Sequence, residues 1–271
     1  MKLLRIATAL FLTFGLVSAR QQTTGASPAL DRALQETIRS LAAPKSAGEQ
    51  RTALDNLRAV EHERLVPQLF LFSETARDTR DAMAMGFVLH ELAIPPRDVI
   101  AALVPMLETA DAARRQALGN VLSEYEDRSV DRGASFSAYR EILEAGAPVG
   151  LVRHMLDVDP SAALLMLSRV EVNDLAELRA LLWAGHEVAD LLWKRSFGFL
   201  PDEALAGGEP REARAQLAFL AAHPRWWARA FAARIACEEP LLAGDARVTD
   251  LASDPHPLVR ELAAQALQTP R

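Results

Sequence analysis

Apolar residues recur along this chain at helical spacing almost without a break. The clearest segment, DPHPLVRELAAQALQ at 254–268, opens on Asp-Pro and His-Pro. It then carries Leu258, Val259, Leu262, Ala263, Ala266 and Leu267 along one stripe. Residues three and four apart share a helix face, so the pattern predicts an amphipathic helix entered through a turn. Leu30, Leu34, Ile38 and Leu41 keep the same spacing, as do Ala53, Leu54, Leu57 and Val60. No stretch alternates β-branched and aromatic residues for long enough to predict a strand. Breaks fall at Pro95-Pro96, Gly146 to Pro148, Asp159-Pro160, Gly207-Gly208 and Pro224. At Asp159-Pro160, His223-Pro224 and His256-Pro257 the proline suits the first helical position, whose N–H has no use within the helix. The expected class is all-α.

Segments also repeat. LVPQL at 65–69 returns as LVPML at 103–107, and GFVLHEL at 86–92 as GNVLSEY at 119–125. ARAFAARIA at 228–236 returns as VRELAAQAL at 259–267. Offsets of about 31 to 38 residues suit units made of two helices. One such pair cannot cover both of its apolar sides, so neighbours must stack.

These residues resemble the HEAT-repeat family of armadillo-type proteins, including the related repeats of phycobilin lyases. That family reads LVPxLxxLL, a turn with Asp-Pro, then VRxxAxxAL. Asp254-Pro255, Pro257, Val259-Arg260, Ala263 and Ala266-Leu267 carry the match. The resemblance implies a right-handed α-solenoid of antiparallel helix pairs over 29–271, with second helices lining a concave face. It also implies hydrogen bonds between neighbouring repeats, from a turn acid and an arginine six residues later. Those structural roles would fall to Asp254 with Arg260, Glu74 with Arg80, and Glu108 with Arg114. Arg229 has His223 at that offset, so no acid partner is expected for it. The stretch 131–210 is the least repetitive. It reads as irregular helical repeats, with a separate helical bundle as the alternative.

The N-terminus reads differently. Lys2 and Arg5 precede an apolar run at 6–17, and Val17-Ser18-Ala19 offers small residues for signal-peptidase cleavage. At a rise of ~1.5 Å the run reaches about 18 Å, short of the ~30 Å hydrocarbon core. Residues 1–19 are therefore expected to be a cleaved signal peptide, with an uncleaved anchor as the alternative. RQQTTGASP at 20–28 then reads as a flexible leader. This predicts a periplasmic or secreted protein of a bacterial envelope.

Charge narrows the partners. The chain has 30 basic and 36 acidic residues, a net of −6, and cleavage would remove Lys2 and Arg5 as well. An acidic surface disfavours nucleic acid. Cys237 is the only cysteine, which excludes an intramolecular disulfide and cysteine-rich metal knuckles. It lies on the apolar side of a predicted helix and reads as core.

Chemistry is sparse. The histidines His62, His90, His154, His186, His223 and His256 lack metalloprotease spacing. His154 with Asp157, and His186 with Asp190, could each offer two metal ligands, but a helix-surface hydrogen bond explains either pair as well. No nucleophile elbow and no phosphate loop occurs, so no cofactor, metal or catalytic residue is expected.

The aromatics are a better lead. Trp226 and Trp227 are adjacent, and neighbours on a helix point about 100° apart. One could pack between units while the other edges a partner-binding groove, or inter-helix packing could swallow both. Trp183 and Trp193, on the apolar 178–200 segment, are expected in the core. The sequence thus predicts an exported interaction or scaffolding module that binds a protein partner. The alternative is an envelope enzyme using a His/acid site on a helical scaffold.

Overall fold

A computed structural model describes residues 28–42, 46–74, 79–128, 132–196 and 209–268. The expected signal peptide, and the leader up to residue 27, lie outside the described residues. In chain order the elements are α1 (Pro28–Ala42), α2 (Ala47–Arg58), α3 (His62–Glu74), α4 (Thr79–Glu91) and α5 (Pro96–Glu108). There follow α6 (Ala112–Arg128), α7 (Arg132–Ala145), α8 (Val149–Val158), α9 (Pro160–Glu171) and α10 (Leu175–Ser196). The chain continues through α11 (Glu209–Ala221), α12 (Trp226–Glu238), α13 (Pro240–Ala243), α14 (Ala246–Leu251) and α15 (Pro257–Gln268). The protein is all-helical, with no strand among the described residues.

Local chemistry sets several starts. Ser46 accepts the Glu49 N–H at 3.1 Å ahead of α2, and Asp159 accepts the Ala162 N–H at 2.9 Å ahead of α9. Each satisfies one of the orphan donors of a first turn. Proline opens α9 and α15, as the sequence predicts. The third expected start is corrected. α12 begins at Trp226, because the His223 imidazole accepts the Arg225 N–H at 3.3 Å and holds 223–225 as a corner.

Segments that match in sequence touch in space. The LVPQL and LVPML motifs lie in α3 and α5, which pack together. GFVLHEL and GNVLSEY lie in α4 and α6, and the 228–236 and 259–267 segments form most of α12 and α15. Both pairs are in extensive contact. Gly86 explains how closely α4 approaches α6. A Cβ there would sit 2.4 Å from the Val121 carbonyl oxygen and 3.0 Å from the Tyr125 nitrogen. Tyr125 in turn donates its hydroxyl to the Ile94 carbonyl at 2.6 Å.

One apolar cluster runs from Leu34 on α1 to Ala266 on α15, and Trp227, Phe70 and Phe231 are the largest side chains sealed inside it. Leu34, Ile38 and Leu41 are buried, and so are Leu258, Val259, Leu262, Ala263 and Ala266. Leu267 departs from the expected stripe and is 44% exposed. It lies on the last turn of α15. Trp183 is a second correction, because it projects from α10 with 60% of its surface exposed. Trp193 lies outside the described side chains. One long-range tie crosses the chain: Arg153 on α8 forms a two-pronged ion pair with Glu261 on α15.

Candidate functional site

Three corners meet along one edge of the molecule. They are the α9–α10 turn, the α11–α12 turn and the entry to α15. At the middle corner, the Arg229 guanidinium donates to the carbonyls of His223 and Pro224, both at 2.8 Å. At the last corner, Arg260 does the same to Asp254 at 2.7 Å and Pro255 at 2.9 Å. Each arginine thus closes its own turn, using carbonyls six and five residues back.

The acid joins neighbours instead. Asp254 accepts from Arg229 through both oxygens, at 2.6 and 3.1 Å, and takes the His256 N–H at 2.8 Å. Burial alone would raise the Asp254 pKa. The Arg229 bond and the His256 N–H outweigh it and hold the carboxyl below its ordinary range. One expectation is corrected here. Arg229 does have an acid partner, supplied by the next corner. Asp254 and Arg260 are linked through the Asp254 carbonyl, while its carboxylate serves Arg229. The offset within one unit offered Arg229 no acid because its acid comes from the following corner, 25 residues on.

Glu108 and Arg114 bond to different groups. Glu108 accepts the Gly150 N–H at 2.7 Å, which ties the end of α5 to the start of α8. Arg114 donates to the Thr109 hydroxyl at 3.4 Å. The side chains of Glu74 and Arg80 lie outside the described residues.

The two tryptophans differ. Trp227 is fully buried and donates its indole N–H to Glu171 at 2.6 Å. Its expected role in partner binding is therefore corrected to a core role, since α12 turns this residue inward against α9. Trp226 is half-buried and stacks on His256, with ring centroids 4.0 Å apart and 10° between planes. His256 has its pKa lowered, chiefly by burial, with Asp254 opposing and Arg229 and Arg260 adding to the effect. At the adjacent corner, Arg225 donates to Glu177 at 2.8 Å and lies over the Trp227 ring at 5.9 Å. The Arg225 bond is the main cause that lowers the Glu177 pKa.

Beside this edge, α10 presents an outward face. Leu175 and Trp183 are 59% and 60% exposed, and Arg179 and His186 share the face at helical spacing. The His186 ring lies 6.3 Å from that of Trp183. The sequence hid this surface, because an apolar segment with interspersed charges reads equally as a core helix.

The first candidate metal pair is divided between the interior and the surface. His154 is buried, whereas Asp157 faces Arg115 at 3.5 Å and Arg234 at 3.8 Å. Among the described residues no cluster of three or more His, Cys, Asp or Glu could hold a metal. The Cys237 thiol lies 3.4 Å from the Ala233 carbonyl and 3.2 Å from that of Leu262, either of which can accept its one S–H, and burial pushes its pKa up. Among the described residues no helix is long and apolar enough to cross a membrane. Comparison with protein-family profiles, curated proteins and solved structures gives no match.

Proposed function

We propose that this chain is an exported α-solenoid of HEAT-like antiparallel helix pairs that binds a protein partner on its surface. The repeat reading is supported by the Arg229 and Arg260 corners, which close with the same pair of carbonyl bonds. Contact between matched segments supports it too. Export rests on the N-terminal pattern of two cations, a short apolar run and a small-residue site.

The observation that carries binding is Trp183. Covering a tryptophan removes ~150–250 Å² from water, and at ~25 cal/mol per Å² of apolar area this is worth a few kcal/mol. A solenoid that leaves such a ring outward, beside Leu175 and a cationic Arg179, holds that free energy for association. Aromatic anchors of this kind dominate measured interfaces. The partner presents an apolar cleft with an acidic rim.

Carboxylate-directed crosslinking in the native envelope, followed by capture, tests the reading. Lys45 and Lys194 are the only lysines beyond the predicted cleavage site, so amine-directed reagents are unsuitable. Trp183→Ser is expected to abolish capture of the crosslinked partner and leave the melting curve unchanged. Undiminished capture, or equal loss of fold and capture, overturns it.

A further inference from the structure

A cavity of about 210 Å³ opens between α6, α7, α8 and α9. Its floor is apolar and buried, formed by Leu122, Met155, Ala163 and Met166. Ser123 and Val158 stand exposed at its mouth. The volume is below the ~300–1,000 Å³ typical of sites for drug-sized ligands, so it suits a compact molecule.

Three polar groups converge there. The Tyr139 hydroxyl bonds to the Glu126 carboxylate. His154 lines the same space and is only 5% exposed, yet its imidazole has no hydrogen-bond partner among the described residues. Gly119 leaves the ring uncovered on one side, since a Cβ there would lie 3.3 Å from Cε1. The imidazole thus keeps its hydrogen-bonding capacity for whatever enters the cavity it lines.

The charge of the lining selects the ligand. Glu126 and Asp159 are anionic, and no lysine or arginine lines the cavity. Arg115, near His154, is engaged by the Ala110 carbonyl at 3.0 Å and by Asp157. An anion would meet two carboxylates and no cation. We infer that this cavity binds a small organic amine, its ammonium held by Glu126 and the basic nitrogen of His154, its short apolar body against Met155 and Met166. Charge and shape act together, because neither an inorganic cation nor an alkane satisfies both walls.

The test uses the full chain with histidine ring resonances observed by NMR, and His154 assigned by its loss in His154→Gln. The probes are n-butylammonium and phenethylammonium, with butyrate as the anionic control. The ammonium probes are expected to shift the His154 ring resonances saturably, and butyrate is not. Glu126→Gln, which keeps an acceptor for Tyr139, weakens binding by about tenfold or more. Ser123→Arg places a cation at the exposed mouth and abolishes binding while the remaining spectrum stays native. Butyrate binding as tightly as the amines overturns the inference. Amine shifts indifferent to both variants overturn it as well. So does the absence of any saturable shift with both amines up to their solubility limit.

Discussion

Arg229 reaches the next corner of the chain and grips both oxygens of Asp254, at 2.6 and 3.1 Å. The two side chains are 14% and 5% exposed, so the pair is screened from solvent on most sides. Removing one partner of such a pair strands the other, at about 3 kcal/mol or more. Asp254→Asn is expected to lower unfolding free energy by that order in urea titrations at pH 7. The folded carboxyl titrates below its ordinary value of 3.8. Its contribution is therefore complete above that value and disappears as pH falls through the lower folded one. Asp254→Asn should show a smaller loss in that acid range than the parent.

Gly86→Ala should destabilise, although alanine is favoured over glycine in helices by about 1 kcal/mol. The obstacle is backbone, the Val121 carbonyl at 2.4 Å, and backbone cannot rotate away. Overpacking of this kind costs ~1–3 kcal/mol, and thermal unfolding will read the net loss. Gly119→Ala is the milder comparison, because the nearest atom belongs to the His154 ring at 3.3 Å.

Burial, with a smaller push from Arg115, lowers the His154 pKa to about 4 from 6.5. Between those values the unfolded chain binds a proton that the folded chain refuses. Stability therefore falls as pH drops across that window, by about 3 kcal/mol in total. His154→Gln removes this slope. Urea midpoints recorded from pH 7 to pH 4 check it, and an unchanged slope would assign the pH dependence elsewhere.

Trp227→Phe keeps most of the buried ring and loses the indole bond to Glu171. A carboxylate left without that donor should lower stability by about 1–3 kcal/mol. Glu171→Gln, which retains an acceptor oxygen, should lose less. Urea denaturation of both variants separates the hydrogen bond from the packing.

The helices were legible because their faces follow local spacing. Leu34, Ile38 and Leu41 needed only one another's positions to declare a buried side. The partner of Arg229 was not legible, since the corner that supplies it lies 25 residues on and only packing reveals the distance. Trp183 misled for a related reason. An apolar segment announces helix, but which of its residues lacks a neighbour depends on where α9 and α11 come to lie against α10. The cavity beside His154 draws on four helices, and the sequence offered only its Asp157 spacing. Trp226 and Trp227 were half read: adjacency dictated divergent directions, and the fold decided which one turned inward.

The fork from Arg153 to Glu261 spans 108 residues. Arg153 is 16% exposed, a cation in a recess whose counter-charge arrives late in the sequence. Until α15 packs against it, that cation has no partner of opposite charge at this position. Two helices far apart in the chain thus share one charge balance, and a change that displaces α15 also strips the recess on α8 of its neutralising anion.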